Sequence, residues 1–158
     1  MTGRAGSPVR VVVVTVSDRS FRGEREDTGG PTVEAALRRL LGEAVSVVER
    51  LLLPDERTDL EWHLRRIADT NSADLVVTTG GTGLSRRDVT PQATLAVADY
   101  AVPGIPEAMR AATRGALPVA ILSRQAAVVR GRTLIVNLPG SPRGALSLIH
   151  ISEPTRPY

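Results

Sequence analysis

Val9 to Val16 is an almost unbroken β-branched run, apolar at odd and even positions alike. That pattern predicts a strand buried on both faces, as at the centre of a parallel sheet. It ends in Ser17-Asp18-Arg19-Ser20, polar residues at the carboxyl end of a central strand and therefore candidate ligand contacts. Residues 21–30 are charged and glycine-rich, which predicts a loop. Pro31 suits a first helical position. Val33, Ala36, Leu37, Leu40 and Leu41 then recur at helical spacing until Gly42 stops the helix. Val45, Val47, Val48 and Leu51 to Leu53 predict a second strand. Pro54-Asp55-Glu56 follows it, then a helix with Leu60, Leu64, Ile67 and Ala68 on one face. Asp55 stands where it can cap that helix. His63, beside the apolar stripe, reads as a packed residue rather than a ligand.

Asp74 to Thr79 is the third predicted strand. It opens into Gly80-Gly81-Thr82-Gly83-Leu84-Ser85-Arg86-Arg87-Asp88-Val89. Thr90 is placed to cap the next helix, with Pro91 in its first turn. Val102 to Pro106 reads as a rigid turn and Glu107 to Thr113 as a helix. Val119 to Leu122 reads as a short strand ending in Ser123-Arg124. Gln125 to Val129, Gly131-Arg132 and Thr133 to Leu138 predict a hairpin that runs out into Pro139-Gly140-Ser141. Alternating strands and helices predict an α/β fold, a three-layer αβα domain with a mostly parallel sheet. The polar strand ends Ser17-Asp18, Thr79-Gly80, Ser123-Arg124 and Asn137 then line one edge.

Composition narrows the chemistry. The 158 residues suffice for one domain, and the 42% apolar and 23% charged fractions are ordinary for a globular chain. Aromatics are 3%, so the core is aliphatic and base stacking on single strands is disfavoured. A net charge of +3 is too mild to imply nucleic acid and suits an anionic small molecule. The absence of cysteine excludes thiol catalysis and disulfides and fits a reducing, cytoplasmic compartment. No apolar run reaches membrane-spanning length.

The stretch Thr78 to Pro91 carries the main chemical signal. A glycine-rich strand-to-helix turn is either a tight solvated turn or an anion-binding nest of backbone amides. With Arg86, Arg87 and Asp88 attached, it points toward phosphate. There is no P-loop, and no Gly-x-Gly-x-x-Gly follows the first strand. The only histidines are His63 and His150, so a Ser-His-Asp set is excluded. Amides, hydroxyls, arginines and carboxylates remain, a set suited to phosphoryl or nucleotidyl transfer with Mg²⁺. Asp55 and Asp88 can share that metal if their loops meet, which spacing does not decide.

The chain resembles the MogA/MoaB family of molybdenum-cofactor biosynthesis proteins, which includes the G domain of gephyrin. The resemblance rests on Val16-Ser17-Asp18-Arg19, Asp27-Thr28-Gly29-Gly30-Pro31, Leu53-Pro54-Asp55-Glu56 and Leu75 to Gly83. It continues through Arg86 to Pro91, Pro103-Gly104, Ala120 to Gln125 and Asn137 to Pro142, spanning residues 9–145 in order. It implies a molybdopterin-binding fold, a homotrimer or hexamer, and adenylylation of molybdopterin by Mg·ATP with release of pyrophosphate. The family's two functional aspartates fall on Asp55 and Asp88, as catalytic residues and Mg²⁺ ligands. The implied substrate contacts are Ser17, Asp18, Thr79, Gly80, Gly81, Thr82, Gly83, Arg87, Ser123, Asn137, Pro139, Gly140 and Ser141. An enzyme that inserts molybdate is the implied partner; neither nucleic acid nor membrane is.

After Arg143 the family pattern expects an amphipathic helix, but Pro154 and Pro157 break any helix there. Residues 1–145 therefore read as the molybdopterin-binding domain and 146–158 as an atypical tail. The alternative to an enzyme is a non-catalytic molybdopterin carrier or scaffold of the MoaB type.

Overall fold

In the computed structural model, residues 6–141 are described; Met1 to Ala5 and the atypical tail lie outside them. The strands are β1 (Val9–Val16), β2 (Val45–Leu53), β3 (Leu75–Thr79), β4 (Tyr100–Ala101), β5 (Ala127–Arg130) and β6 (Thr133–Leu138). The helices are α1 (Asp18–Phe21), α2 (Gly29–Leu41), α3 (Arg57–Asp69), α4 (Thr90–Val97) and α5 (Gly104–Thr113). The sheet order is β2-β1-β3-β6-β5-β4. β2, β1, β3 and β6 run parallel, β5 is antiparallel to β6, and β4 is antiparallel to β5. This is the mostly parallel, three-layer arrangement that the sequence predicts.

β1 explains the layers. Val12, Val14 and Val16 face Leu60, Leu64 and Ile67 of α3 and Ala93 and Val97 of α4. Val11 and Val13 face Val33 and Leu37 of α2 and Met109 of α5. Each fully buried aliphatic side chain contributes about 1.5–3 kcal/mol, so a strand apolar on both faces must be covered on both. Among the described residues, no helix is long and apolar enough to cross a membrane.

Some elements differ from expectation. Val119 to Leu122 is part of a 3-10 turn, Pro118–Leu122, with Val119, Ile121 and Leu122 exposed. Pro118 has no N–H to give a ladder. The place beside β5 is taken by β4, where Asp99 N donates to Val129 O and Val102 N to Ala127 O. The expected 21–30 loop is shorter, because α1 and the start of α2 take its ends. Gly29 and Gly30 become helical as Asp27 Oδ1 accepts from Gly30 N at 3.1 Å. The helix α5 likewise absorbs the last part of the turn expected at Val102 to Pro106.

Asn137 sits within this core and is completely buried. Its Nδ2 donates to Thr78 Oγ1 at 3.0 Å and Thr94 Oγ1 at 2.9 Å, and its Oδ1 accepts from Ala126 N at 3.1 Å. It ties β6 to β3, α4 and the segment leading into β5. An Asn137→Ala variant leaves these partners buried and unpaired. It should lower unfolding stability by about 2–3 kcal/mol in urea titration, with the m-value unchanged.

Candidate functional site

The strand ends meet because glycine lets them. Gly80 has φ +100°, and a Cβ there would overlap the Val16 carbonyl oxygen. Its N–H donates to Leu138 O at 3.1 Å, so the ends of β1, β3 and β6 close on one point. Gly81 has φ +68°, and its Cβ would strike Thr90 Oγ1 and lie 3.2 Å from Asp55 Oδ1. Gly140 lies against Gly80, with 3.2 Å between its ideal Cβ and Gly80 Cα. Thr79 Oγ1 donates to Pro139 O at 3.0 Å. Thr90 does not cap α4: Val89 holds the cap position, and Thr90 Oγ1 donates to Gly80 O at 2.9 Å, which pins the glycine loop from below.

Around this closure the acidic residues interlock. Asp18 N donates to Asp55 Oδ2 at 2.8 Å, and Asp55 N donates to Asp18 Oδ1 at 3.0 Å. Asp55 therefore does not cap α3 as expected; Glu56 stands at the cap position and its side chain makes no capping bond. Arg87 grips Asp18 through Nε and Nη2, each at 3.0 Å, and Nη2 also reaches Glu56 Oε1 at 3.0 Å. Ser17 caps α1, accepting from Ser20 N at 3.3 Å.

Asp88 closes the other end of the glycine loop. Its Oδ2 accepts from Ser85 N at 2.9 Å and lies 2.8 Å from the ideal Cβ position of Gly83. Asp55 borders Gly81 and Asp88 borders Gly83, so both carboxylates flank one loop. Thr82 is buried, with its hydroxyl 3.4 Å from Ser123 Oγ. Ser141 is exposed just beyond Gly140. Of the expected contacts, Asn137 stands apart: its amide is spent inside the core, so it supports the rim from beneath.

The electrostatics follow the crowding. Burial pushes the Asp55 carboxyl up, and the like charges of Asp18 and Asp88 push it further. Burial also opposes ionisation of Asp18, but the Asp55 amide and the Arg87 guanidinium hold it below the usual carboxylate range. Asp18 and Glu56 raise Arg87 in turn. Among the described residues no cluster of three or more His, Cys, Asp or Glu could hold a metal by itself. Two carboxylates with substrate phosphates are a usual Mg²⁺ environment, and Asp55, crowded by the charges of Asp18 and Asp88, fits a cation there.

Sequence reasoning did not single out Asp27 or Glu56 as site residues, and it placed Arg124 only among the polar ends of predicted strands, without a role. Asp27 Oδ2 accepts from Thr15 Oγ1 at 3.0 Å, which holds the start of α2 against Thr79. Its place in Asp27-Thr28-Gly29-Gly30 was the available signal. For Arg124 the signal was its place in Ser123-Arg124, but its role was not legible, since it binds backbone carbonyls across the fold.

A family model described as a probable molybdopterin binding domain matches residues 12–154. The chain belongs to this family. Over 135 residues it is 47% identical to the molybdopterin adenylyltransferase of Escherichia coli K12 and 45% identical to that of Haemophilus influenzae. Those alignments cover 85% of this chain and 69% and 68% of the two relatives. The crystal structure of MoaB, a molybdopterin biosynthesis enzyme from Thermus thermophilus, matches with a TM-score of 0.80 at 47% identity. That match covers 90% of this chain and 87% of the other. The resemblance carried by the motifs and the fold it implied are both borne out.

Asp55 is ionised in the folded rim at a cost, because burial and like charges disfavour the carboxylate. That cost is present above its raised folded-state pKa and disappears as pH falls through that value toward the unfolded one. Asp55→Asn keeps an acceptor for the Asp18 amide and removes the charge. Its thermal midpoint should exceed wild type at neutral pH, with the gap narrowing as the buffer is acidified; calorimetry across a pH series measures both.

Proposed function

We propose that this chain is a molybdopterin adenylyltransferase, which transfers AMP from ATP to the terminal phosphate of molybdopterin and releases pyrophosphate. The observation that carries the reading is the convergence of Asp55 and Asp88 on the two ends of one glycine loop. The naming of relatives at 45–47% identity as molybdopterin adenylyltransferases supports the same reaction.

The chemistry needs little covalent help. A phosphate monoester is already largely dianionic near neutral pH, so its oxygen can attack the α-phosphorus of ATP without a histidine base. The new P–O bond forms as the bond from the α-phosphorus to the bridging oxygen breaks, and pyrophosphate leaves. Asp55 and Asp88 would hold Mg²⁺, which offsets the triphosphate charge when bound. The amides of Gly81 to Gly83 and of Gly140 would donate toward phosphate oxygens, with Ser141 beside them, while Gly80, its own amide spent on Leu138, lets the strand ends close beneath them. Arg87, held by Asp18 and Glu56, adds fixed positive charge at the rim. Preorganised donors of this kind stabilise charge that develops in transfer. Ser17, Thr79, Thr82 and Ser123 shape the walls, and Pro139 holds the Thr79 hydroxyl.

The reading extends to a homotrimer. Its support is the apolar strip of Val119, Ile121 and Leu122, exposed by 59%, 63% and 50%, the kind of surface that a subunit contact covers. A cytoplasmic setting is part of the same reading, in keeping with a cysteine-free sequence. An adenylylated pterin calls for a consuming enzyme that inserts molybdate and releases the adenylate as AMP by hydrolysis.

Pyrophosphate release from Mg·ATP and molybdopterin tests the activity. Asp88→Ala should lower kcat by about a hundredfold or more with the fold intact by circular dichroism. Wild-type rates in that variant at saturating substrates would overturn the role of Asp88, and pterin binding without pyrophosphate release would make the chain a carrier. Sedimentation equilibrium should give a trimer mass that Ile121→Asp shifts toward monomer.

A further inference from the structure

The segment from Thr82 to Asp88 carries a functional carboxylate, and bonds from other segments are what anchor it. It contains no helix or strand, and its large apolar side chain, Leu84, is 67% exposed. Its internal bonds only fold it on itself: Ser85 N to Asp88 Oδ2, Asp88 N to Ser85 O at 3.0 Å, and Arg87 N to Ser85 Oγ at 3.3 Å. A turn closed this way keeps its shape but not its place relative to Asp55.

Arg124 supplies the place. Its backbone N–H donates to Thr82 O at 3.0 Å. Its Nε donates to Gly83 O at 2.8 Å and its Nη2 to Asp88 O at 2.7 Å. One planar fork thus spans both ends of the turn from the segment leading into β5. The carbonyls are neutral, so what they need is the geometry of a guanidinium rather than its charge. A lysine carries one compact donor head and cannot hold the two carbonyls in a fixed relation. Arg87 ties the same loop to Asp18 on the opposite side, so the turn is held from both flanks.

We infer that Arg124 is a positioning residue for adenylyl transfer, a clasp that fixes the Asp88 turn opposite Asp55 without itself touching phosphate. This rests on the adenylyltransferase reading for its consequence, but its structural content can be measured separately. Arg124→Lys keeps the charge and loses the fork; Arg124→Met loses both.

Amide hydrogen exchange by mass spectrometry reads the clasp directly. Both variants should lose protection in peptides covering residues 82–88, with protection in β1 and β3 retained. Mn²⁺ affinity, read by electron paramagnetic resonance in the presence of a non-hydrolysable ATP analogue, should weaken in both. Where wild type releases pyrophosphate, kcat should fall by about tenfold to a hundredfold with KM for molybdopterin nearly unchanged, and methylguanidine should restore part of the rate to Arg124→Ala, whose short side chain leaves room for it. Wild-type exchange in residues 82–88 of either variant would overturn the proposal. So would Arg124→Lys matching wild type in kcat while Arg124→Met does not, because charge would then be the operative property. A wild-type chain without pyrophosphate release refutes the adenylyltransferase reading alone and leaves the exchange and Mn²⁺ measurements to decide the clasp.

Discussion

The ends of β1, β3 and β6 approach so closely that no side chain fits between them. At Gly80 the obstacle is the Val16 carbonyl, and at Gly81 it is the Thr90 hydroxyl. Both residues also have positive φ, which costs an L side chain steric strain. This closure turns parallel strands into a rim: it brings the Asp55 carboxylate to the glycine loop and lays Gly140 on Gly80. Move the strands apart by the width of a methyl group and the same residues would sit on separate turns.

The rim is held by bonds that link distant parts of the chain. Asp18 and Asp55 exchange backbone donors for carboxylate acceptors, and Arg87 joins them from a third loop. These contacts favour the charged form of Asp18 while leaving Asp55 crowded by negative charge. Clusters of this kind are common where polyanions and cations are handled, because the residual repulsion is relieved by the ligand rather than by the protein. The buried Asn137 network and the apolar faces of β1 hold the sheet beneath this crowded rim.

The elements with simple periodicity were legible in the sequence. The β-branched run at Val9 to Val16 could only be a doubly covered strand, and the stripes in α2 and α3 mark their buried faces. The convergence of polar strand ends followed from the fold class. What escaped was set by tertiary partners. Val119 to Leu122 has the residues of a strand but no free strand to pair with. Thr90 has the composition of a cap but is drawn into a bond with Gly80. Asn137 lies at a strand end yet is consumed within the core. Asp55 occupies a cap's place in sequence, but the amide that claims its carboxylate comes from Asp18. The candidate site was legible as a set of motifs; their mutual support, through Asp27 and Arg124, is made of side-chain bonds that join separate segments of the fold.

The order of strands has a consequence for how the protein comes into being. β6, last in the described chain, is inserted between β3 and β5, so the middle of the sheet stays vacant until nearly all of the domain has left the ribosome. Contacts of such long sequence separation form slowly. Until then Gly80 has no Leu138 carbonyl to bind, and the nascent polypeptide holds no half-built pocket. A chain cut short before that strand lacks both the Leu138 carbonyl that holds Gly80 and the Gly140 backbone that lies against it.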